Sequence, residues 1–191
     1  MNERRLEAFS DGVIAILITI MVLELRPPHG TAIGDLLPLG PTFLSYVLSF
    51  ALLGTYWNNH HHLLQVAKAV DGRVLWANLH LLFWLSMFPF ATAWIGQNDF
   101  APIPVAVYGI VQLLAAIAYY GLIHSLIGVP GQAIALGVAV GKDVKGKISP
   151  ALYLIAIPIA LVAPAISMAI YAAVALIWIV PDRRMERVTT G

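Results

Sequence analysis

The side chains that could do chemistry are few, and they lie inside or at the ends of long apolar runs. Asp11 and Glu24 bracket the first run, His60, His61 and His62 stand together in the second, and His80 and His124 occur singly in the third and fourth. Ionisable groups in such surroundings are costly, so they are the first places to look for function. No run carries a carboxylate near its middle. This argues against transport coupled to a buried acid and against hydrolysis by paired carboxylates, since both need a carboxylate close to the reacting atom. The absence of cysteine removes thiolate catalysis, disulfides and cysteine metal sites. No catalytic residue and no enzyme activity is expected.

The histidine triplet, in Trp57-Asn58-Asn59-His60-His61-His62, suggests a metal at first sight. Consecutive helical residues point about 100° apart, however, so three adjacent histidines cannot converge on one ion. They are expected to hydrogen-bond within the bundle or to face the aqueous boundary. His80 and His124 have no partner at metal-ligand spacing and read as packing or interfacial residues. No tightly bound metal is expected.

The first run is different. On a helical wheel Ile16, Ile20 and Leu23 fall within about 60° of one another, Thr19 sits at one edge, and Asp11 points about 140° away from Ile16. If that apolar stripe faces an axis shared by several copies, it forms stacked rings that gate by dewetting and make an ion shed water. Asp11 then faces neighbouring helices, where Arg5 or a histidine of the second run could satisfy it. The plain alternative is a stripe that faces lipid or packs.

The elements that must position these residues follow from composition. Of 191 residues, 60% are hydrophobic and 11% charged, too few charges for a surface that faces water. The apolar blocks run 8–25, 42–66, 74–96, 102–128, 148–162 and 164–180, most of them long enough for a hydrocarbon core of about 30 Å. The last two are one stretch, divided where Pro164 disfavours helical geometry in the residue before it. Charge favours six spans over five. Arg4, Arg5, Lys68, Arg73, Lys142, Lys145, Lys147, Arg183, Arg184 and Arg187, ten of the eleven basic residues, then share one side, and only Arg26 lies on the other. The positive-inside rule makes that side cytoplasmic and puts both termini there. Glu7 and Asp11 interrupt the first run and no cleavage site follows, so it reads as a retained helix and not as a signal peptide. The reading is an all-α integral membrane protein, one six-helix domain over residues 1–191.

The string Arg5-x-x-x-Phe9-Ser10-Asp11, with Gly12-Val13-Ile14-Ala15-Ile16 and Thr19-Ile20-Met21-Val22-Leu23-Glu24-Leu25 after it, closely resembles the signature of the transmembrane protein 175 family of potassium channels, in its short prokaryotic form. Tyr56-Trp57-x-x-His60-His61 and Phe88-Pro89-Phe90 are similar to the family's second and third helices. The resemblance implies a homotetramer whose first helix lines a central pore. It implies that Ile16 is the constriction, that Thr19 supplies a hydroxyl ring implicated in selectivity, and that Ile20 and Leu23 extend the apolar seal. It makes Arg5, Phe9, Ser10 and Asp11 a structural network against Trp57 and His60, with His61 in reserve.

No Thr-Val-Gly-Tyr-Gly filter occurs, so selection would rest on dehydration and be moderate. The expectation is a leak-type potassium channel of the bacterial plasma membrane, with potassium passing Ile16 and Thr19 transiently and no cofactor. Its partners are its own copies, membrane lipid and monovalent cations; no nucleic acid is expected. A proton-conducting pathway or secondary transporter is the alternative, and a membrane assembly factor without a conduction path is the third reading.

Overall fold

A computed structural model of the chain describes residues 3–141 and 144–179, and every regular element among them is helical. Helix α1, Glu3–Met21, runs into a 3-10 turn, Val22–Glu24, and a 3-10 stretch, Ile33–Leu39, leads into α2, Gly40–Val66. There follow α3, Gly72–Ser86; α4, Phe88–Gln97; α5, Pro102–Ile127; α6, Ala133–Val140; α7, Val144–Ala160; and α8, Pro164–Ile179. Prolines near the starts of α2, α4 and α5 (Pro41, Pro89, Pro102) occupy positions where the missing N–H has no intrahelical partner to lose. Asp71 caps α3, its carboxylate accepting from the Val74 N–H at 3.0 Å.

Four helical stretches, Glu3–Glu24, Ile33–Val66, Gly72–Gln97 and Pro102–Ile127, are long and apolar enough to cross a membrane. The third is interrupted at Met87, because Pro89 has no N–H to continue the ladder; the Met87 N–H instead bonds the Trp84 carbonyl at 3.2 Å. The connection 129–147 contains α6, which its composition did not announce. The last apolar stretch breaks at residues 161–163, leaving α7 and α8 with 17 and 16 residues. Ser167 on α8 donates back to the Ala156 carbonyl at 2.7 Å and holds the two together. Lys142, Arg183, Arg184 and Arg187 lie outside the described residues.

Helix α5 packs on α3 and α7, and α1 lies against α2, α3 and α4. Tyr108, fully buried, is central: its ring meets Phe88 and Tyr171 edge-on, and its hydroxyl lies 2.8 Å from Ser49 Oγ. No Asp, Glu, Lys or Arg among the described residues is buried. The buried polar side chains are instead serines, threonine, amides and His60. They need internal partners in a medium without water. Gln132, for example, accepts from the Lys68 N–H at 2.9 Å and donates to the Leu126 carbonyl at 2.8 Å, joining two connections.

One buried chain ties three helices. Asn78 on α3 donates from Nδ2 to Ser10 Oγ on α1 at 2.9 Å, and Ser10 donates onward to the Leu6 carbonyl at 2.9 Å. His60 Nε2 on α2 lies 2.7 Å from Asn78 Oδ1. Since Oδ1 can only accept, Nε2 carries the proton.

Two consequences are measurable by thermal unfolding in detergent. A Cβ at Gly96 would come within 2.7 Å of Thr42 Cα and 2.6 Å of Ser45 Oγ, so Gly96→Ala should push α4 off α2 and cost about 1–3 kcal/mol. Gly121→Ala, with nothing within 4 Å, should not destabilise. Asn78→Leu strands His60 Nε2 and removes the donor that Ser10 accepts from, and should cost about 1–2 kcal/mol.

Candidate functional site

Helix α1 has two faces. Leu6, Ser10, Ile14, Leu17 and Met21 recur at helical spacing and are buried against the wall helices. The opposite face carries Phe9, Gly12, Ile16, Thr19 and Ile20, with Leu23 following in the 3-10 turn. Ile16 is 58% exposed, Ile20 43% and Leu23 72%, so this stripe has no covering within one chain. The Thr19 hydroxyl lies 3.1 Å from the Ala15 carbonyl and 3.0 Å from that of Ile16, to which it donates. Its proton is thus committed to the helix backbone, and its oxygen lone pairs remain free to meet a cation.

The motif residues divide between the faces. Ser10 is buried in the chain through Asn78 to His60, whereas Phe9 and Arg5 are exposed. Arg5 makes no ion pair with Asp11 among the described residues. Asp11 is half-buried and accepts at Oδ1 from Trp57 Nε1–H at 3.0 Å. The Trp57 ring in turn lies nearly parallel to His61, with centroids 5.9 Å apart and an 18° interplanar angle. His61 Nδ1 is 2.7 Å from Glu7 Oε1, and its Nε2 is 2.8 Å from Gln65 Nε2. His60 and His61 therefore act on different layers, one inward through Asn78 and the other toward Glu7. His80 accepts from Trp84 Nε1–H at 2.9 Å, a contact within one helix.

At the other end of α1, Glu24 accepts from Gln97 Nε2 at 2.9 Å. The two acidic residues that bracket the first run are thus both tethers, Asp11 to α2 and Glu24 to the end of α4. Four participants were not singled out from the sequence as site residues: Glu7, Gln65, Asn78 and Gln97. Two of them left a signal: Asn78 is the one amide in block 74–96, and Glu7 lies one helical turn before Asp11. A small internal cavity between α2, α5, α7 and α8, lined by Tyr56, Asn59, Tyr119, Ser149, Tyr153 and Trp178 among others, includes no residue of α1.

Comparison with known proteins bears on this arrangement. Residues 5–89 match the family described as the endosomal/lysosomal potassium channel TMEM175. A Chryseobacterium protein named as a potassium channel is 51% identical over 187 residues, which is 98% of this chain and 97% of the relative. A human protein named as the endosomal/lysosomal proton channel TMEM175 is 36% identical over 96 residues, 44% of this chain but 19% of the human one. The crystal structure of a lysosomal potassium-selective channel TMEM175 homolog from Chamaesiphon minutus superposes with a TM-score of 0.81 at 28% identity, covering 93% of this chain and 96% of that one. With a relative of that identity matched over almost its whole length, and the same helical architecture in a solved homolog, this multi-pass membrane chain belongs to the TMEM175 family.

Proposed function

We propose that the chain is the subunit of a homotetrameric, potassium-selective leak channel, with six membrane crossings per subunit and both termini on the cytoplasmic side of the bacterial plasma membrane. The observation that carries this reading is the uncovered stripe of Ile16, Thr19, Ile20 and Leu23 on a helix whose other face is fully packed. The names of the Chryseobacterium and Chamaesiphon relatives supply the ion.

Four copies of α1 around an axis would stack rings of isoleucine, threonine and leucine. An apolar ring stabilises no bare ion, so passage at Ile16 requires partial loss of the hydration shell. Potassium holds its water less tightly than sodium and loses less there. One turn on, Thr19 oxygens offer lone pairs in partial replacement. Selectivity from these two sources is moderate, because neither matches an ion's radius with a rigid cage. Ser10, Asp11, Trp57, His60 and His61 act by holding α1 in rotation and do not touch the permeant ion; Arg5 and Phe9, exposed in one chain, would act only where copies meet.

The human relative's description as a proton channel favours a second reading, in which protons follow the same axis. Purified protein in liposomes separates these readings. Potassium flux without an imposed proton gradient supports the channel; flux only with such a gradient points to a coupled transporter; acidification without potassium flux points to protons alone.

Ile16→Asn should raise flux severalfold and reduce discrimination against sodium, read as the ratio of the two ions' flux. Unchanged flux and ratio would remove Ile16 from the constriction. Thr19→Val, nearly the same shape without the oxygen, should lower the potassium-to-sodium ratio while the tetramer persists on size-exclusion chromatography; a wild-type ratio would deny Thr19 any part in selection.

A further inference from the structure

We propose that Glu7, Asp11 and His61 form a binding site for a divalent transition-metal cation that clamps the N-terminal end of α1 to α2. Glu7 and Asp11 are four residues apart and so share one face of α1, and His61 meets them from α2. One donor atom from each lies within 4.8 Å of the other two. Donors around a tetrahedral zinc at about 2.0–2.1 Å are about 3.3 Å apart, so the widest gap must close by about 1.5 Å. All three side chains are half-buried, and with the imidazole held by its stack the shift falls to the two carboxylates.

The surroundings are already those of a ligand set. The His61 ring is fixed in plane by its stack on Trp57, with Nδ1 aimed at Glu7. A ligating imidazole donates its other N–H to an acceptor, and Gln65 stands 2.8 Å from Nε2; turning its amide over presents an oxygen there. Trp57 occupies Asp11 Oδ1 and leaves Oδ2 for the ion. Two carboxylates balance a dication, an imidazole favours zinc or its neighbours over magnesium and calcium, and a fourth position remains for water. Arg4 and Arg5, exposed at the same end of α1, oppose the charge and hold affinity to a moderate level. The three adjacent histidines do not converge; the set combines one of them with two carboxylates from another helix. The site does not depend on which ion the axis conducts.

The test uses chelator-stripped full-length protein in detergent, titrated with zinc chloride against a fluorescent zinc indicator. About one zinc per subunit should bind, millimolar magnesium should not displace it, and zinc should raise the unfolding temperature. Glu7→Gln and His61→Asn should each weaken binding at least tenfold and abolish the thermal shift, and Gln65→Leu should weaken it less. Cobalt added to the wild-type protein should give the visible bands of a tetrahedral nitrogen and oxygen site, a readout that needs no variant to fold. No zinc uptake, displacement by magnesium, wild-type affinity in both ligand variants, or an octahedral cobalt spectrum would overturn the proposal; the third result would mean an adventitious ion only.

Discussion

The hydrogen-bond chain from His60 through Asn78 to Ser10 sets how α1 is turned, and most of what the structure can do depends on that rotation. In hydrocarbon a lone hydroxyl or amide has no water to fall back on, so each must be met by another part of the protein. The buried Asn78 amide N–H finds its acceptor on α1 only when Ser10 points between α2 and α3. At about 100° per residue, this one choice sends Ile14, Leu17 and Met21 inward and leaves Ile16, Thr19 and Ile20 outside. A rotation by one residue would bury Asp11 and expose Ser10, replacing two satisfied neutral groups by a buried carboxylate. The tethers from Asp11, midway along α1, to Trp57 and from Glu24, in the 3-10 turn after it, to Gln97 stop the helix twisting.

Much of this was legible in the sequence, for identifiable reasons. Periodicity places Ile16, Ile20 and Leu23 on one face of α1 and Asp11 on another, but leaves open whether that stripe packs, since the face that is buried is apolar too. The division before Pro164 follows from proline's effect on its neighbour. What escaped depends on contacts between distant segments. The spacing of His60, His61 and His62 says that they diverge, but not which of them meets α1. The structure uses two: His60 reaches Ser10 through Asn78, and His61 reaches Glu7. Asn78 stands alone among apolar residues, and one amide in such a run identifies no partner. The break at Met87 needed more weight on Phe88-Pro89-Phe90 than a continuous apolar block invited. Helix α6 is short and follows Pro130 and Gly131, so the local sequence reads as a turn.

The exposed face of α1 raises a sharper question, since an apolar stripe on a membrane helix ordinarily meets lipid. Other helices expose apolar residues too: Ile103, Ile110 and Ile117 on α5, Leu154 and Ile155 on α7, Leu176 and Ile177 on α8. Apolar exposure by itself does not separate α1 from these. Exposed small residues do not either, since α8 carries Ala165, Ala169 and Ala173 and α5 carries Gly121; what sets α1 apart is its pair of carboxylate tethers. Ala8, Gly12 and Ala15 lie on the exposed side, interleaved with Phe9, Ile16 and Thr19. A Cβ at Gly12 would meet nothing within 4 Å in its own chain, so packing inside the subunit gives no reason for glycine there. Small residues on a membrane helix let another backbone come close, an advantage that lipid tails cannot use. A second copy of α1 can use it. The same helix is tethered at its middle by Asp11 and just past its end by Glu24 to the bundle behind it, as a helix must be if its other face is to border an axis instead of a partner that would hold it in place. Close approach of copies at Gly12, with bulk at Ile16 and Leu23 and a lone-pair donor at Thr19 between them, is the combination that the proposed tetramer would use to form a narrow, mostly dry passage at its centre.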